Sequence, residues 1–501
     1  VNGYDKARNL DHDELRNLEK NLRNLEEGRS TLGVCYWEKL DRTSKSSTGH
    51  RRCTVAQSLG CFKFDDVDET WHFFAAKMTN LQPSLSYEYK LGALSHARAP
   101  GADNLLDEDL LPAYDIVRSN NQKTIAIVGD LGTEGISLVA KGLANSVFKF
   151  NSLIHLGDAS YSSNRGGCYG QENNPKCEYD CPENDKGCEG RLRRNDNHGR
   201  NSWEVYFNLL KPITAHIPWA TTNGNHDNDM VWFLKYRPPI NLTEEAMKYN
   251  PDDYYRDLTR AYEYDSSAAV PQQALINSIG KHPYFYSYNY KGVHVASFGT
   301  EDNFINPYEY NLNNGVIKPK YRERFERHYG RDSPQYKWLL KDLQGVDRES
   351  TPWVFVFTHR PMWHSSNHHP SCSSGGDWYG CELRELYSPL FEKHQVNLIF
   401  AGHAHHYQRS KPMVQGKPVD DNSQAPRYIV CGTGGFALDN PFNPNDTPEW
   451  IAYRQARWFG YCQVTIVNNT HALWKHIAVQ GDPGSLREST KDEAWIKRVA
   501  R

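Results

Sequence analysis

The sequence predicts an α/β protein in which a smaller β-rich domain precedes a large layered domain. From about residue 122 onward, short apolar runs rich in β-branched residues alternate with segments of helical periodicity. Before residue 98 the chain shows the alternation that is typical of strands. Polar side chains able to bind metals stand at the ends of several predicted strands, which indicates a ligand site at one edge of a layered sheet.

Length and charge exclude two classes of function. The chain has 501 residues, which at about 100–200 residues per domain predicts two to four units. Its formal net charge is -3, so no basic excess indicates a nucleic-acid partner. No run of about 18 apolar residues predicts a membrane span. The first residues, Val1, Asn2 and Gly3, do not form a signal peptide, although such a segment is removed from mature secreted proteins.

The N-terminal part of the chain is predicted to contain three segments. Residues 1–28 form a helical segment, because 11–27 places leucines at helical spacing on a charged background. Residues 29–98 form a β-rich domain, in which WHFFAAKM and LQPSLSYEYKLGA are strand-like. Residues 99–120 contain two prolines and a glycine and are predicted to be a linker.

The remaining residues, 121–501, are predicted to form the large domain. Its strands are KTIAIVGD, NSLIHLGD, PWATTNGNHD, GVHVASFG, WVFVFTHR, VNLIFAGHAH, RYIVCGTGG and YCQVTIVNN. Its helices are expected at 137–149, 202–210, 335–343 and 384–394. This succession predicts buried sheets that are covered by helices. Residues 236–282 are expected to form a long polar insertion with many tyrosines.

Cysteines and glycosylation sequons indicate a secreted protein, or one in a vacuolar or lysosomal-type compartment. N-glycans are expected at three sequons, which begin at Asn241, Asn445 and Asn468. Four of the eleven cysteines crowd into a polar stretch that has little to bury, and disulfides would explain its order: Cys168, Cys177, Cys181 and Cys188. A structural zinc site is the alternative, although paired C-x-x-C spacing is missing. The odd cysteine count leaves at least one thiol free or bridging to another chain, and a homodimer is one possible assembly.

Metal-competent side chains follow five of the predicted strands. They are Asp130, Asp158, Asn225 with His226, His359, and His403 with His405. Each alone is a weak signal, because a Gly-Asp pair after a strand is usually a turn and a single histidine is usually hydrogen-bonded or exposed. Their joint occurrence predicts one convergent site, since open α/β sheets bind ligands beyond the carboxyl ends of their strands. The two histidines of Gly-His-Ala-His also point to the same face of an extended segment.

Five short blocks give the chain a resemblance to the metallophosphoesterases, and within them to the plant-like purple acid phosphatases. The blocks are Gly129-Asp130-Leu131-Gly132, Gly157-Asp158-Ala159-Ser160-Tyr161, Gly224-Asn225-His226-Asp227, Val356-Phe357-Thr358-His359 and Gly402-His403-Ala404-His405. Tyr161, three residues after Asp158, is the mark that other metallophosphoesterases generally lack. The resemblance implies an αββα fold, a β-sandwich flanked by helices. It also implies that residues 29–98 are a fibronectin-III-like domain, incomplete because too few strands precede residue 96.

The resemblance implies a dinuclear metal centre. Asp158 would bridge two ions, Fe(III) held by Asp130, Tyr161 and His405, and a divalent Zn, Mn or Fe(II) held by Asn225, His359 and His403. Phenolate and carboxylate donors suit a trivalent ion, whereas imidazoles and an amide oxygen suit a divalent one. The implied catalytic histidines are His226, His368 and His369. His364 is a less favoured helper, and His406 is predicted to be structural.

The activity implied by the resemblance is that of an acid phosphatase, which hydrolyses small phosphate monoesters by attack of a metal-activated hydroxide. A phosphodiesterase or nucleotide pyrophosphatase could use the same metal site. A non-catalytic binding protein would be marked by lost ligands, and all seven are present. Three departures from the family pattern leave the substrate open. The loop after His369 lacks an early acidic residue and could be closed by Cys372 and Cys381. The insertion at 162–200 could overhang the site, and the N-terminal β-domain is incomplete.

Overall fold

A computed structural model describes residues 30–38, 52–64, 69–76, 78–81, 87–95, 114–115, 123–132, 136–161, 198–227, 285–301, 319–366, 378–438, 442, 447–481 and 484–498. The predicted helix at 11–27 and the predicted insertion at 236–282 lie outside these ranges. So do the cysteine-rich stretch and the sequons at Asn241 and Asn445. The chain divides into two compact units. The first comprises Val1–Phe62, Thr70–Asn121 and Lys211–Pro218, and the second comprises Lys63–Glu69, Gln122–Leu210 and Trp219–Arg501.

The N-terminal part is β-rich, as predicted. Its strands are β1 Ser30–Glu38, β2 Arg52–Val55, β3 Gln57–Phe64, β4 Glu69–Ala75, β5 Tyr87–Ser95 and β6 Tyr114–Asp115. Four of them form an antiparallel sheet of order β2-β1-β5-β6, and β3 pairs with β4. Strand β6 lies within the predicted linker, 99–120. Its Tyr114 is opposite Tyr89 of β5 in the register of the sheet.

Strand β1 shows the alternation of a half-buried strand. Val34 and Tyr36 are buried with Tyr87 in a small apolar cluster. Cys35 points to the opposite face, where it forms a disulfide with Cys53, its cross-strand neighbour in β2. This sheet therefore combines a small core on one face with a covalent bond on the other.

The large unit contains all eight predicted strands and all four predicted helices. Its strands are β7 Lys123–Val128, β8 Ser152–His155, β9 Trp219–Thr221, β10 Tyr286–Tyr290, β11 Val293–Ser297, β12 Trp353–Phe357, β13 Leu398–Ala401, β14 Tyr407–Ser410, β15 Met413–Val414, β16 Lys417–Pro418, β17 Arg427–Cys431, β18 Ile451–Gln455, β19 Gly460–Ile466, β20 His471–Gln480 and β21 Arg487–Lys497. Its helices are α1 Ile136–Asn145, most of α2 His198–Thr214, α3 Pro319–Tyr329, α4 Pro334–Gln344 and α5 Trp378–Lys393, with a 3-10 turn at Val147–Lys149. The last residues of α2, from Lys211 onward, belong to the first unit.

Two mixed sheets form the centre of the large unit. One has seven strands in the order β10-β11-β12-β13-β17-β14-β18, and the other has six in the order β21-β20-β19-β7-β8-β9. Strands β11, β12, β13 and β17 run parallel, as do β7, β8 and β9. Parallel neighbours place their carboxyl ends at the same edge of a sheet, so the loops that follow them are brought together.

Strand β12 shows how the layers are packed. Trp353, Phe355 and Phe357 point into an apolar core that contains side chains of both sheets. Val354 and Val356 point the other way, into a second core that includes side chains of α3, α4 and α5. The sheets therefore pack face to face with helices outside, which confirms the predicted αββα plan. None of the described helices has the length and apolarity needed to cross a membrane.

A buried disulfide joins the two sheets of this unit. Cys431 at the end of β17 is bonded to Cys462 in β19, and both residues are fully buried. Cys381 is disulfide-bonded as well; its predicted partner, Cys372, lies outside the described ranges. Disulfides of this kind are typical of proteins that fold in an oxidising compartment.

Candidate metal centre

The seven predicted metal ligands lie on segments that directly follow strands of both sheets. Asp130, Asp158 with Tyr161, and Asn225 follow β7, β8 and β9 of the six-stranded sheet, whereas His359, and His403 with His405, follow β12 and β13 of the seven-stranded sheet. Two sets of parallel strands thus end at one place. The structure brings the predicted ligands together there.

The ligand atoms form two clusters that share one carboxylate. Asp158, His359 and His403 offer atoms that all lie within 4.8 Å of one another, and so do Asp130, Asp158 and His405. Asp158 belongs to both groups and is 1% exposed. A carboxylate has two oxygens and can bind a cation on each side. The arrangement therefore suits two metal ions bridged by Asp158.

Tyr161 belongs to the cluster that contains Asp130. Its hydroxyl oxygen is 2.9 Å from Nε2 of His405 and 3.4 Å from Oδ1 of Asp130. Nε2 of His405 is in turn 3.6 Å from the same Asp130 oxygen. Tyr161 is buried, with only 4% of its surface exposed. A phenol, a carboxylate and an imidazole thus converge on one point.

The other cluster is built around the amide oxygen of Asn225. This Oδ1 atom is 3.0 Å from Nε2 of His359 and 2.8 Å from Nδ1 of His403. Nε2 of His359 is also 3.3 Å from Oδ2 of Asp158. The opposite nitrogen of His359, Nδ1, donates to the carbonyl of Leu156 at 2.8 Å. Because a carbonyl only accepts, Nδ1 carries a proton, and Nε2 is the ring nitrogen that remains to bind a metal ion.

Two glycines make the close approach of these groups possible. A Cβ atom on Gly224, which precedes Asn225, would lie 2.1 Å from Oδ1 of Asp158. One on Gly402, which precedes His403, would lie 2.6 Å from Oδ2 of Asp130. Neither position tolerates a side chain without moving a predicted ligand. The glycines in these motifs are therefore required by the geometry of the site.

Several predicted ligands have a left-handed backbone. The φ angle is +59° at Asp130, +52° at Asp158, +54° at Tyr161 and +66° at His403. Non-glycine residues rarely adopt this region, because it costs about 1–2 kcal/mol each. Backbone hydrogen bonds support the conformation, since Asp130 donates to the carbonyl of Gly157 and the amide of His403 donates to the Asp130 carboxylate. Strain concentrated at one place is typical of a functional site.

Asp227 is a residue of the site for which no role was predicted from the sequence. It is fully buried, and its carboxyl group accepts the backbone N–H of Ala159 at 2.7 Å and that of Gly224 at 2.9 Å. Burial, together with the negative charge of Asp158, raises its pKa well above the ordinary value. Asp227 thus ties the segment after β8 to the segment before Asn225. Its position directly after Asn225-His226 is the feature of the sequence from which it could have been predicted as a site residue.

Negative charge dominates the electrostatics of the site. Burial opposes ionisation of Asp158, yet the facing His359 and His226 hold the pKa of this carboxyl below its usual range. Burial would lower the pKa of His359, but the Asp158 carboxylate raises it to about 10. The pKa of Tyr161 is raised well above normal by burial and by Asp158 and Asp130. These shifts indicate a site that attracts cations, and a cation beside Tyr161 would favour its phenolate.

Two aromatic rings stack on the ring of Tyr161. Phe436 lies parallel to the Tyr161 ring, with centroids 3.7 Å apart, and His226 stacks on Tyr161 at 4.5 Å. Burial lowers the pKa of His226. His226, a predicted catalytic residue, therefore adjoins a predicted ligand. Phe436 could not be predicted from the sequence as part of the site, because it lies far from Tyr161 along the chain.

The other predicted histidines have different positions. His368 and His369 lie outside the described residues. His364 is partly buried. His406 is fully buried and packs edge-on against Phe442, with ring centroids 4.9 Å apart. This packing agrees with a structural role for His406.

The donor set fits a pair of metal ions. Three imidazoles, two carboxylates, a phenol and an amide oxygen converge, and hard oxygen donors are concentrated in the Tyr161 cluster. Hard donors suit Fe(III), while imidazole and amide donors suit a divalent ion such as Zn²⁺. The ring of His359 is also held in orientation, because its Nδ1 donates to the carbonyl of Leu156.

Comparisons with known proteins point to the same chemistry. Residues 123–407 match the family described as calcineurin-like phosphoesterase, and residues 425–486 match the one described as iron/zinc purple acid phosphatase-like protein C. Purple acid phosphatase 18 of Arabidopsis thaliana is 27% identical over 60% of this chain and 54% of its own length. Fe(3+)-Zn(2+) purple acid phosphatase 12 of Arabidopsis thaliana is 30% identical over 56% and 50%. The chain thus spans about half the length of these relatives.

A solved structure supports the fold. A purple acid phosphatase isolated from yellow lupin (Lupinus luteus) seeds aligns with a TM-score of 0.60. The alignment covers 94% of this chain and 70% of that one, at 17% sequence identity. At this low sequence identity the similarity shows a shared fold, that is, a shared arrangement of helices and strands.

Proposed function

The chain belongs to the calcineurin-like phosphoesterase family, and from that premise we propose that it is an acid phosphatase that hydrolyses phosphate monoesters at a dinuclear metal centre. The observation that carries the proposal is the pair of ligand clusters that share Asp158. Two metal ions bound there would act as Lewis acids on the phosphoryl oxygens and on the attacking water. The named purple acid phosphatases among the relatives support the same activity.

The ligands are proposed to divide into two sets. Asp130, Tyr161 and His405 would hold Fe(III), and Asn225, His359 and His403 would hold Zn, Mn or Fe(II). The support for this division is the short contact between Tyr161 and His405 on one side and the two contacts of the Asn225 oxygen on the other. A phenol that ionises beside a cation is a donor for a trivalent ion.

The chain's own residues would orient the reacting groups and move protons. Asp227 holds the segments after β8 and before Asn225 together, so that Asp158 and Asn225 keep their relative positions. His226 lies against Tyr161, and its ring is proposed to donate a hydrogen bond to a phosphoryl oxygen or to the leaving group. His368 and His369 are proposed to assist in the same way.

Replacement of Tyr161 tests the proposed metals. The purified protein should contain about two metal ions per chain and absorb visible light through tyrosinate-to-iron charge transfer. Tyr161→Phe should bleach or strongly shift this band, because the charge-transfer donor is removed. Metal analysis together with a visible spectrum checks both statements. Tyr453→Phe in β18 is the matched control and should keep the band. A colourless wild type that contains only zinc or manganese would contradict the ferric assignment.

Paired substrates test the proposed reaction. The rate on nitrophenyl phosphate should exceed the rate on bis-nitrophenyl phosphate at acidic pH by at least about tenfold, because a dianionic phosphoryl group interacts more strongly with the cations than a monoanionic diester. A faster rate on the diester would favour a phosphodiesterase or nucleotide pyrophosphatase at the same site.

Secretion is proposed on the evidence of the disulfides and one exposed sequon. Cys35–Cys53 and Cys431–Cys462 are oxidised. Asn468 lies exposed between β19 and β20, and its Oδ1 accepts the amide of Thr470, which leaves the amide nitrogen at the surface. The protein secreted from a glycosylating host should lose the mass of one N-glycan on Asn468→Gln. An unchanged mass would remove Asn468 from the proposal.

A further inference from the structure

The ring of Phe436 is in direct contact with two of the proposed metal ligands. It lies nearly parallel to the ring of Tyr161, with an interplanar angle of 6° and centroids 3.7 Å apart. It also meets the ring of His405 edge-on, with centroids 5.6 Å apart and an angle of 75°. Rings at the first distance are in van der Waals contact, and the second arrangement is one that aromatic pairs prefer. Both contacts belong to the Tyr161 cluster.

The backbone holds Phe436 in this place. Its N–H donates to the carbonyl of Asp130 at 3.1 Å, and two residues earlier the N–H of Gly434 donates to the carbonyl of Gly129 at 3.0 Å. The segment that carries Phe436 is thus paired with the segment that carries Asp130. It begins at Cys431, whose buried disulfide joins the two sheets. The position of Phe436 is therefore fixed by contacts that do not involve the phenol of Tyr161.

Gly132 provides the space that the ring of Phe436 occupies. A Cβ atom on Gly132 would lie 2.9 Å from Cδ2 of Phe436, which is too close for two carbon atoms that are not bonded. The φ angle of Gly132 is +63°, a conformation that favours glycine. Its N–H donates at 2.8 Å to the carbonyl of Ala159, two residues before Tyr161. The second glycine of Gly-Asp-Leu-Gly, which metal ligation alone does not require, therefore has a role in the contact between the two rings.

The phenol of Tyr161 depends on such a contact for its orientation. Its oxygen is 2.9 Å from Nε2 of His405 and 3.4 Å from Oδ1 of Asp130. This oxygen is the side-chain atom farthest from the backbone, so that a small rotation about the first side-chain bond displaces it from the other two donors. Ligands of a functional site keep their geometry when packing against neighbouring side chains locks their rotamers. A ring stacked on the phenol restricts this rotation.

We propose that Phe436 is a positioning residue that aims the phenol oxygen of Tyr161 at the metal ion of the Tyr161 cluster, with Gly132 providing the space for its ring. The inference rests on the proposed function, in which Tyr161 is a ligand of one of two ions. It adds an asymmetry between the two ions. Binding of the ion in the Tyr161 cluster depends on Phe436, whereas binding of the ion beside Asn225 does not.

Substitution of the ring in the metal-loaded protein tests the proposal. Phe436→Leu keeps an apolar side chain but removes the planar ring, and Phe436→Tyr restores a ring. Phe442→Leu is the matched control, because Phe442 packs edge-on against His406, with centroids 4.9 Å apart. For each variant we would measure the metals per chain, the visible spectrum, the rates at which EDTA removes the two ions, and urea unfolding.

The expected result is selective weakening of one ion. EDTA should remove the ion of the Tyr161 cluster from Phe436→Leu about tenfold faster than from the wild type, because residues that orient metal ligands typically contribute about 10–100-fold to metal affinity. The visible band should shift and broaden, since the phenol takes up more than one orientation. Phe436→Tyr should restore the rate and the band. The ion beside Asn225, and both ions in Phe442→Leu, should leave at rates within about twofold of the wild type.

A double substitution separates positioning from a general effect on stability. In the Tyr161→Phe background, Phe436→Leu should cause no further loss of metal, because the oxygen that Phe436 positions is already absent. The proposal would be overturned if Phe436→Leu had the same effect with and without this oxygen, or if it released both ions equally.

Failure of the proposed function would give different results. A wild-type protein that binds two ions other than iron would remove the ferric assignment, and one that hydrolyses neither nitrophenyl ester would refute the enzyme. In both cases the EDTA rates of the four variants, Phe436→Leu, Phe436→Tyr, Tyr161→Phe and the double variant, would still decide whether Phe436 acts through the phenol.

Discussion

Two of the buried polar clusters in the described part of the large unit contain aspartate and differ in how its negative charge is balanced. At the candidate metal centre the ion-pair partners of Asp130 and Asp158 are histidines, His405 and His359. In the second cluster Asp492 of β21 is paired with Arg409 of β14, with Nε 2.7 Å and Nη2 3.0 Å from its two oxygens. The negative charge of the first cluster therefore suits the binding of added cations. The second cluster already contains a cation, the guanidinium of Arg409.

The two clusters also differ in backbone conformation. The aspartates of the metal centre lie after strands and have positive φ angles. Arg409 and Asp492 lie within strands of the two sheets, and the cluster is completed by Tyr407, whose hydroxyl donates to Asp492 and accepts from the indole of Trp474 at 2.8 Å. Strained segments with an excess of carboxylates thus indicate function. A satisfied network on regular strands indicates a structural role.

Asp158→Asn should have the largest effect on activity. The amide has nearly the same shape, but it removes the carboxylate that both ligand clusters share. We expect activity to fall at least about 1,000-fold, because the variant cannot bridge two metal ions. Metal analysis should give fewer than two ions per chain, and circular dichroism should show a folded protein.

If Asp158→Asn kept two metal ions and full activity, the shared carboxylate would not be a bridging ligand. The difference between the two buried clusters would then have to be explained without metal ions. If the variant bound two metal ions but had low activity, Asp158 would act in the reaction itself and would not be needed for metal binding.

Asp492→Asn should lower stability and leave activity nearly unchanged, which is the opposite of the pattern expected for Asp158→Asn. The change leaves the guanidinium of Arg409 buried without its full counter-charge, and loss of one partner of a buried ion pair costs about 3–5 kcal/mol of unfolding free energy. Urea unfolding should show this loss, while kcat per folded molecule at 25 °C should change less than about twofold. A large fall in kcat with unchanged stability would place this network in the active site.

The sequence predicted those elements of the fold in which local pattern and tertiary packing agree. Strands β7, β8, β12 and β13 are apolar and buried, so their composition alone identifies them. Strand β21 was not predicted, because Arg487–Lys497 is mostly polar and half of it is exposed. It is a strand because its backbone pairs along the whole of β20. Helix α3 was missed for a related reason, since its charged sequence buries chiefly Phe325 and Tyr329.

The candidate site was predictable to a similar extent. The seven predicted ligands share a local signal, a polar residue just after an apolar strand. Phe436, which stacks on Tyr161, has no such signal, because only folding brings the two rings together. Glu301 also follows an apolar strand, β11, but only the structure shows that it forms an ion pair with Arg360.

A third prediction concerns the acid stability of the structural cluster, where the expected effect is smallest. His476 of β20 is fully buried against Tyr407, with ring centroids 4.1 Å apart, and burial lowers its pKa to about 3. The unfolded chain binds a proton at this histidine below about pH 6.5, whereas the folded chain does not. Stability contributed by neutral His476 is therefore present above pH 6.5 and is lost as the pH falls toward 3. At pH 5 this loss amounts to about 2 kcal/mol.

His476→Phe should remove most of this pH dependence. Phenylalanine keeps the stacking on Tyr407, although it loses the contact between Nε2 and the hydroxyl of Thr433, so the variant should be less stable than the wild type at pH 7.5. Between pH 7.5 and pH 5, however, its unfolding free energy should fall by about 2 kcal/mol less. His471→Phe, on the same strand but partly exposed, is the control. Equal losses in the wild type and His476→Phe would contradict the argument. The expected difference would mean that the structural cluster, as well as the metal centre, restricts the acidic range in which a phosphatase of this fold can work.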